Sequence, residues 1–415
     1  MMAAVFGEAE CQRCRADFPS LRRTIAGQPV AFLDGPGGTQ VPAAVIDAIG
    51  DCYRNRNVNT HGNFPVSEEL DLRMLAARTA IADLLGASGH ERISIGQNMT
   101  SLAFSLSRAL SSSIRPGDEV LITALDHEAN RGPWQRLAAD GAVIKEVPLL
   151  STGALDYAAM ARLITPKTRL LALGCSSNAI GTVNDLVLAR RLTRAAGALL
   201  ILDAVHYAPH FPIDVATLDP DFLLCSAYKF YGPHVGILYS RAGLLDSLPT
   251  ERLAVQDERA PYRIETGTLN HPAIEGVAAA IDYLASFGQG ASRRHALLDA
   301  MAALGRYEHQ LGDYLWDSLQ AMPGVRRWGQ PFDVPQRAPT VSFTIDGVEA
   351  AAAARALGQR GICVWDGDFY APGPVRALAV PGGALIRVGF SMYNTHAEVD
   401  RLLAEISKLA KAGRQ

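Results

Sequence analysis

The sequence predicts an α/β protein with a doubly wound, mostly parallel sheet, followed by a smaller α+β domain. Between about residues 40 and 285, short apolar runs alternate with amphipathic segments, which is the pattern of strand–helix units with parallel strands. The apolar runs are continuous, which indicates a sheet covered on both faces. A chain of 415 residues is longer than one core usually supports, so two domains are expected.

The elements of the larger domain follow in order along the chain. Pro42 suits the first turn of a helix over 41–54, because its missing N–H costs nothing there. Ser67 is placed to cap a second helix that ends before Gly86. The alternation then predicts strands at 92–95, 119–123, 143–147, 170–173, 199–202, 222–225 and 235–239, and helices at 99–111, 129–140, 156–163, 185–196 and 271–287.

A Gly/Ser stretch at 288–292 marks the expected domain boundary. We therefore predict an N-terminal segment at 1–35, a large domain at 36–287 and a small domain at 288–415. In the small domain the pattern predicts helices at 293–322 and 350–360, strands at 340–345, 362–365 and 384–390, and a final helix from 395.

Composition excludes several classes of protein. Hydrophobic residues make up 48% of the chain and the net charge is −3, so neither nucleic acid nor an anionic membrane is an expected partner. No signal peptide and no apolar run of membrane-spanning length is recognisable. Six sparse cysteines do not form a disulfide framework, and the pair Cys11 and Cys14 is expected in a frayed terminal helix. We expect a soluble, cytoplasmic protein without a metal site.

Two residues at the ends of neighbouring predicted strands carry the chemistry. Ligands of α/β sheets gather at the carboxyl ends of strands, where Asp203 and then Lys229 lie. Each alone could be ordinary, Asp203 as a helix cap or ion-pair partner and Lys229 as a surface lysine. Together they fit pyridoxal 5′-phosphate (PLP), with Lys229 attached as a Schiff base and Asp203 facing the pyridine nitrogen, because a desolvated lysine forms imines readily.

A phosphate site is predicted where Asn98 precedes a helix that follows a strand directly. The free N–H groups at Met99 and Thr100 and the positive helix end suit an anion, and Thr100 adds a hydroxyl. Ser226, three residues before Lys229, can add another donor. A plain helix cap is the alternative interpretation.

Four further residues follow strands or end one. His127 can stack on a flat ring, or be an ordinary loop histidine. Asn178 and His206 can hydrogen-bond the phenolic oxygen of the cofactor. Arg387 ends an apolar strand, where its guanidinium can bind a carboxylate through two hydrogen bonds.

The order of these motifs resembles the class V aminotransferase superfamily, in particular its cysteine desulfurase-like branch, from about Phe32 to Leu409. The motifs are D-H-E-A-N (126–130), S-N-A-I-G-T (177–182), L-D-A-V-H (202–206), S-A-Y-K-F-Y-G-P (226–233), E-T-G-T (265–268) and R-V-G-F-S-M-Y-N-T (387–395).

The resemblance implies PLP fold type I with a seven-stranded sheet in the large domain, and it implies the roles given above for the site residues. It also implies a homodimer in which Thr268 reaches the phosphate site of the neighbouring subunit. The substrate would be an amino acid whose α-carboxylate binds Arg387.

Three departures from the branch bear on the reaction. Tyr228 stands where a histidine precedes the Schiff-base lysine, and His206 stands where the branch has glutamine. Tyr370 aligns with the loop cysteine that accepts sulfur, while Cys363 falls inside a predicted strand, where packing is its expected role.

We therefore expect β-elimination from cysteine or an S-substituted cysteine, without an acceptor cysteine and with Asn178 and Tyr370 beside the substrate. Transamination and epimerisation are alternatives that also need no cysteine. A PLP-binding regulator without turnover is a further alternative, although it would not need lysine, aspartate and arginine together.

Overall fold

The computed structural model describes residues 4–414. The α-helices are α1 (Glu8–Arg15), α2 (Ala43–Asn55), α3 (Pro65–Leu85), α4 (Met99–Ser111), α5 (Gly132–Gln135), α6 (Tyr157–Leu163), α7 (Leu186–Ala196), α8 (Val215–Leu218), α9 (His271–Ala285), α10 (Arg293–Gln320), α11 (Ala350–Gln359), α12 (Pro372–Ala377) and α13 (His396–Ala412). The strands are β1 (Thr24–Ile25), β2 (Gln28–Pro29), β3 (Ala31–Phe32), β4 (Ile93–Gly96), β5 (Glu119–Thr123), β6 (Val143–Val147), β7 (Thr168–Gly174), β8 (Leu199–Asp203), β9 (Phe222–Ser226), β10 (Gly236–Ser240), β11 (Val325–Trp328), β12 (Thr340–Ile345), β13 (Ile362–Cys363), β14 (Trp365–Gly367) and β15 (Leu385–Gly389).

The central sheet confirms the predicted architecture. It has seven strands in the order β4-β10-β9-β8-β7-β5-β6, and β10 alone runs antiparallel to its neighbours. Successive residues of β8 face opposite cores, with Leu200 and Leu202 in one cluster and Ile201 in the other. Burial on both faces explains why these strands are continuous apolar runs.

A second sheet lies in the C-terminal part of the chain and is antiparallel, in the order β11-β12-β15-β14. The N-terminal segment joins it from the other end of the chain, since β3 pairs with β13 and Asp34 bridges to Gly389. The division into segments 1–35, 36–287 and 288–415 stays a prediction.

The structure corrects four local predictions. Helix α3 begins at Pro65, so Ser67 is not its cap; the Ser67 hydroxyl lies in the first turn and bonds the backbone of Asn59 and Gly62. The helix expected at 129–140 is broken into short turns around α5, where Pro133 restarts the helix.

The other two corrections concern α1 and the strand expected at 362–365. Helix α1 is packed rather than frayed: Cys11 and Cys14 are buried, and their thiols donate to backbone carbonyls, among them that of Asn394. The predicted strand is split at Val364, because β13 pairs with β3 whereas β14 pairs with β15.

No helix within residues 4–414 is both long enough and apolar enough to cross a membrane.

Candidate active site

A cleft of about 590 Å³ opens where the two sheets meet. One wall is formed by residues that follow the carboxyl ends of β4, β5, β7, β8 and β9, which all lie at one edge of the central sheet. Its other wall comes from β14, β15 and the loop after β14. The predicted site residues that line it are Met99, Thr100, His127, Asn178, Asp203, His206, Ser226, Tyr228, Lys229, Tyr370 and Arg387.

Lys229 and Asp203 are buried in this cleft, as the strand positions predict. Burial and the nearby Arg387 guanidinium lower the pKa of Lys229 to about 7, so a large share of the amine is neutral near neutral pH. Its Nζ donates to the Pro36 carbonyl. Burial raises the pKa of Asp203 to about 6, while the Val205 N–H and Lys229 oppose that rise.

Asp126 is a second buried carboxyl beside Asp203. It accepts hydrogen bonds from the Gly174 N–H at 2.9 Å and from the Asn130 amide at 3.1 Å. Burial and the charge of Asp203 raise the pKa of Asp126 to about 8. Asp126 is therefore largely protonated at neutral pH, which leaves Asp203 as the anion of the pair.

The start of α4 forms the end of the cleft nearest β9. The Met99 N–H donates to Ser226 Oγ at 3.0 Å, which leaves the hydroxyl proton of Ser226 free to donate. This closeness needs a glycine at position 236, because a Cβ there would lie 2.3 Å from the Asn98 backbone. The helix start, Thr100 and Ser226 together offer donors that can hold an anion.

His206 lines the cleft and has one ring nitrogen without a partner. Its Nε2 lies 2.9 Å from Thr340 Oγ1, and its buried Nδ1 has no partner. Burial, with the neighbouring His210, lowers the pKa of His206 well below its usual range, so the ring is neutral. The Thr340 hydroxyl can then donate to Nε2, which places the ring proton on Nδ1 as an unpaired donor.

Asn178 also lines the cleft, and its side-chain oxygen has no partner. Its Nδ2 donates to the Phe369 carbonyl at 2.9 Å, and its buried Oδ1 has no partner. In this orientation Asn178 offers an acceptor, so His206 is the better placed donor for a phenolate oxygen.

His127 is held as a neutral ring. Its Nδ1 accepts the Ala129 N–H at 3.0 Å, and burial with the charges of Lys229 and Arg387 lowers its pKa to about 4. Its ring lies 5.7 Å from that of Tyr370. A neutral imidazole at this position can cover one face of a planar ligand.

Arg387 stands on β15 with part of its guanidinium unpaired. Its Nη1 donates to the Asn178 carbonyl at 2.9 Å, and the group lies 4.1 Å from the centre of the Phe369 ring. Its buried Nε has no partner. A buried guanidinium with free N–H groups demands an anion, as a substrate carboxylate would provide.

Tyr370 and Cys363 occupy different surroundings. Tyr370 lines the cleft, whereas none of the six cysteines does. Cys363 is half-buried in β13, where its carbonyl accepts the Leu33 N–H, and burial raises the pKa of its thiol. The strand position predicted for Cys363 is confirmed.

Tyr228 and Thr268 are the two remaining predicted residues, and only Tyr228 lines the cleft. The Tyr228 ring stacks on His234 at 4.7 Å and lies 4.9 Å from Lys229 Nζ. Thr268 lies instead in a second cavity of about 420 Å³, together with Ser101 and Ser105. Its reach toward a neighbouring subunit stays a prediction.

The partnerless atoms fit PLP. Three residues that line the cleft, His206, Asn178 and Arg387, each have a buried polar atom without a partner, namely Nδ1, Oδ1 and Nε, and the same cleft is lined by a desolvated lysine, a carboxylate and the start of α4. PLP with an amino acid supplies a phenolic oxygen, a carboxylate, a ring nitrogen and a phosphate, which match these groups in kind.

Sequence reasoning missed Thr340, Asp126, Trp365 and Phe369. Asp126 was visible in the D-H-E-A-N motif, next to His127. Thr340 could not be found, because a threonine at the start of a strand carries no signal of its partner across the fold.

The comparisons with known proteins agree with this geometry. The family Aminotransferase class-V matches residues 31–402. A cysteine desulfurase of Yersinia pestis (strain Pestoides F) is 33% identical over 421 residues, covering 96% of this chain and 98% of the relative; that of Serratia proteamaculans (strain 568) is also 33% identical, with the same coverage.

Solved structures give the same result. The Escherichia coli cysteine desulfurase CsdA is 28% identical with a TM-score of 0.84, covering 97% of this chain and 98% of its own. The apo cysteine desulfurase of Thermococcus onnurineus NA1 is 25% identical with a TM-score of 0.88, covering 99% and 100%. A C-DES mutant with glycine covalently linked to its PLP cofactor shares the fold, at 20% identity and a TM-score of 0.79 over 95% of this chain and 98% of that one.

Proposed function

This chain belongs to the class-V aminotransferase family and is a PLP-dependent enzyme, and we propose that it cleaves the Cβ–S bond of cysteine or an S-substituted cysteine by β-elimination. The observation that carries this proposal is the pairing of a complete lysine, aspartate and arginine set with a cleft that no cysteine lines. The relatives named cysteine desulfurase support the sulfur amino acid as the substrate class.

We assign the cofactor contacts as follows. Lys229 Nζ is the attachment point, since its lowered pKa keeps much of the amine unprotonated. Asp203 faces the ring nitrogen, His127 covers one ring face and His206 Nδ1 donates to the phenolic oxygen. The remaining contacts, to the phosphate and beside the ring, are assigned to Met99, Thr100, Ser226, Tyr228 and Asn178.

PLP supplies an electron sink for the bond cleavage at Cα. Arg387 binds the α-carboxylate and orients the Cα–H bond, while Asn178 and Tyr370 border the side chain of the substrate. Lys229, once free, takes the Cα proton at its Nζ. Asp203 keeps its charge because Asp126 beside it holds a proton, and an anionic Asp203 holds the ring nitrogen protonated.

The fate of sulfur separates this proposal from desulfuration. Transfer of neutral sulfur to an enzyme thiolate leaves alanine, whereas elimination sends sulfur out with its bonding electron pair and yields pyruvate and ammonia. An accessible thiolate is needed for the transfer, and among residues 4–414 the cleft lining contains none. Transamination and epimerisation have no feature of the cleft in their favour.

We also propose a homodimer in which Thr268 contributes to the phosphate site of the neighbouring subunit. The support is that Thr268 faces a separate cavity near the start of α4 rather than the cleft of its own chain. We propose the cytoplasm as its location, because all six cysteines are free, as is usual in a reducing compartment.

The test begins with holoenzyme reduced by hydride, with peptide mapping expected to place the cofactor on Lys229. Unreduced holoenzyme is then given L-cysteine, and pyruvate, ammonia and sulfide are expected in equal amounts. Alanine with an enzyme-bound persulfide would instead establish desulfuration, and a keto acid that retains sulfur would establish transamination. D-Cysteine as the product would establish epimerisation.

A further inference from the structure

Three aromatic side chains border the outer part of the cleft: Tyr370, Trp365 and Tyr228. We refer to them as the aromatic wall. Tyr370 is 75% exposed and Trp365 is 50% exposed, although both line the cleft that holds Lys229. Large aromatic rings left open beside a buried catalytic lysine indicate a surface that binds an apolar group.

The backbone under Tyr370 is held in a costly conformation. Phe369 and Tyr370 have φ angles of 59° and 55°, and left-handed backbone is unfavourable for residues other than glycine. Three hydrogen bonds fix the segment: Asn178 donates to the Phe369 carbonyl, Glu128 N–H donates to the Tyr370 carbonyl, and the Tyr370 N–H donates to Asp368. This conformation places the Phe369 ring against Arg387 and the Tyr370 phenol at the mouth of the cleft.

The position of Trp365 is also fixed by its surroundings. It pairs directly with Arg387 across β14 and β15, so its position is tied to the residue that faces the substrate carboxylate. Its indole packs against Gly37, where a Cβ would lie only 2.5 Å from the indole nitrogen. A side chain at position 37 would therefore displace the indole from this wall.

The charges around the aromatic wall are negative. Asp366 and Asp368 line the same part of the cleft, and the only cationic side chains in the lining of the described chain are the buried Lys229 and Arg387. An anionic group beyond the sulfur would meet these carboxylates, which disfavours it. The wall thus suits a neutral aromatic group better than an acidic one.

We propose that the aromatic wall binds the S-substituent of the substrate, and that this substituent is a neutral aryl or heteroaryl group. The inference rests on the proposed lyase function and specifies its substrate class. The reaction is then S-aryl-cysteine plus water giving aryl thiol, pyruvate and ammonium. The Cβ–S bond breaks with its electron pair on sulfur, the Cα proton leaves to Lys229, and water supplies the keto oxygen, so no oxidant or reductant is needed.

The test compares three substrates with the holoenzyme: S-phenyl-L-cysteine, S-methyl-L-cysteine and S-(4-carboxyphenyl)-L-cysteine. An aromatic contact contributes about 0.5–1.5 kcal/mol, or about 2- to 12-fold per ring. We expect kcat/KM for pyruvate formation to be at least ~10-fold higher for the phenyl than for the methyl substrate. We expect a lower kcat/KM for the carboxyphenyl substrate than for the phenyl substrate. The variant Asp368→Asn should reduce the difference between these two kcat/KM values.

The variants distinguish a loss of binding at the aromatic wall from a general effect on the fold. We define the phenyl-to-methyl ratio as kcat/KM for S-phenyl-L-cysteine divided by kcat/KM for S-methyl-L-cysteine. Tyr370→Ala should lower this ratio by about 3- to 10-fold, and Tyr370→Phe should keep it. Tyr314→Ala is the matched control, since Tyr314 is an exposed tyrosine on α10 that bonds Asp400 and does not line the cleft. That variant should keep the ratio of the unmodified protein.

Binding is measured separately, from the change in the cofactor spectrum on titration with each substrate. A protein that forms pyruvate from the methyl substrate without preferring the phenyl one overturns the inference and leaves the lyase function standing. A protein that forms no pyruvate from any of them, yet binds the phenyl substrate more tightly in a Tyr370-dependent way, overturns the lyase function and supports the wall. Equal binding and equal ratios in all variants overturn the inference.

Discussion

Replacing Thr340 by valine should weaken PLP binding without touching a cofactor contact. Thr340 is fully buried on β12, and its hydroxyl lies 2.9 Å from His206 Nε2. Valine keeps the shape of the side chain but removes the hydroxyl. His206 Nε2 would then be buried without a partner, or the ring proton would move to Nε2 and leave Nδ1 as an acceptor facing the phenolic oxygen.

The structure sets the magnitude of this effect. If the ring proton moves to Nε2, the phenolic oxygen loses its donor, and a buried polar group left without its partner in the PLP-bound form costs about 1–3 kcal/mol, which corresponds to a dissociation constant for PLP about 5- to 150-fold higher. The lost Nδ1 donor should also raise the pH at which the cofactor absorbance changes form, because the phenolate loses stabilisation. Titration of the purified apoprotein with PLP, followed by a pH titration of the spectrum, measures both.

Two variants make this prediction specific. Thr340→Ser retains a hydroxyl, so its dissociation constant for PLP and the pH titration of its spectrum should match those of the unmodified protein. Thr344→Val makes the same change on the same strand, where the hydroxyl accepts from Trp328 and not from His206, and should leave both readings as in the unmodified protein. If Thr340→Val binds PLP normally and its spectrum titrates as before, the assignment of the His206 proton to Nδ1 is wrong.

The other predictions test residues whose surroundings are already described. Asp203→Asn should still bind PLP and lose at least ~10²-fold in turnover, measured as pyruvate formation, because a neutral amide cannot hold the ring nitrogen protonated. Cys363→Ser should keep pyruvate formation within about twofold, and alkylation after incubation with cysteine should reveal no persulfide on Cys363. Because the pKa of Lys229 is about 7 and the neutral amine is the reactive form, the rate of PLP capture by apoprotein should rise from pH ~6 to ~8; a flat profile, measured by stopped-flow absorbance, would contradict this.

The central sheet and its site residues could be predicted from sequence because both depend on local patterns. Continuous apolar runs specify strands buried on two faces, and the carboxyl ends of such strands are where Asp203, Asn178 and Ser226 were expected. Helix α4 was predicted with its observed bounds, since Asn98 is a strong cap: its side chain accepts the Ser101 N–H. The polar residues that follow these strands could therefore be predicted as site residues without knowledge of the fold.

The second wall of the cleft was less predictable, for a physical reason. Trp365, Phe369 and Thr340 gain their roles only when the four-stranded sheet packs near the central sheet, and nothing in their local sequence encodes that contact. Phe369 and Tyr370 also adopt left-handed backbone that sequence rules assign to glycine or asparagine. Propensity failed where tertiary contacts, here those of Asn178 and Glu128, outweigh local preference.

The same segment supports the proposed elimination over sulfur transfer. An acceptor cysteine must approach the substrate sulfur and withdraw with it, whereas the segment around Tyr370 is tied to the large domain through hydrogen bonds from Asn178 and Glu128. A phenol is a poor acceptor of sulfur, and the thiol of Cys363 lies away from the cleft in β13 with a raised pKa. Under the proposed elimination, sulfur that leaves carbon in this cleft keeps the electron pair of the broken bond and departs as a thiol or sulfide. The carbon skeleton is then released as pyruvate, and the fixed aromatic ring remains available to select the group attached to that sulfur.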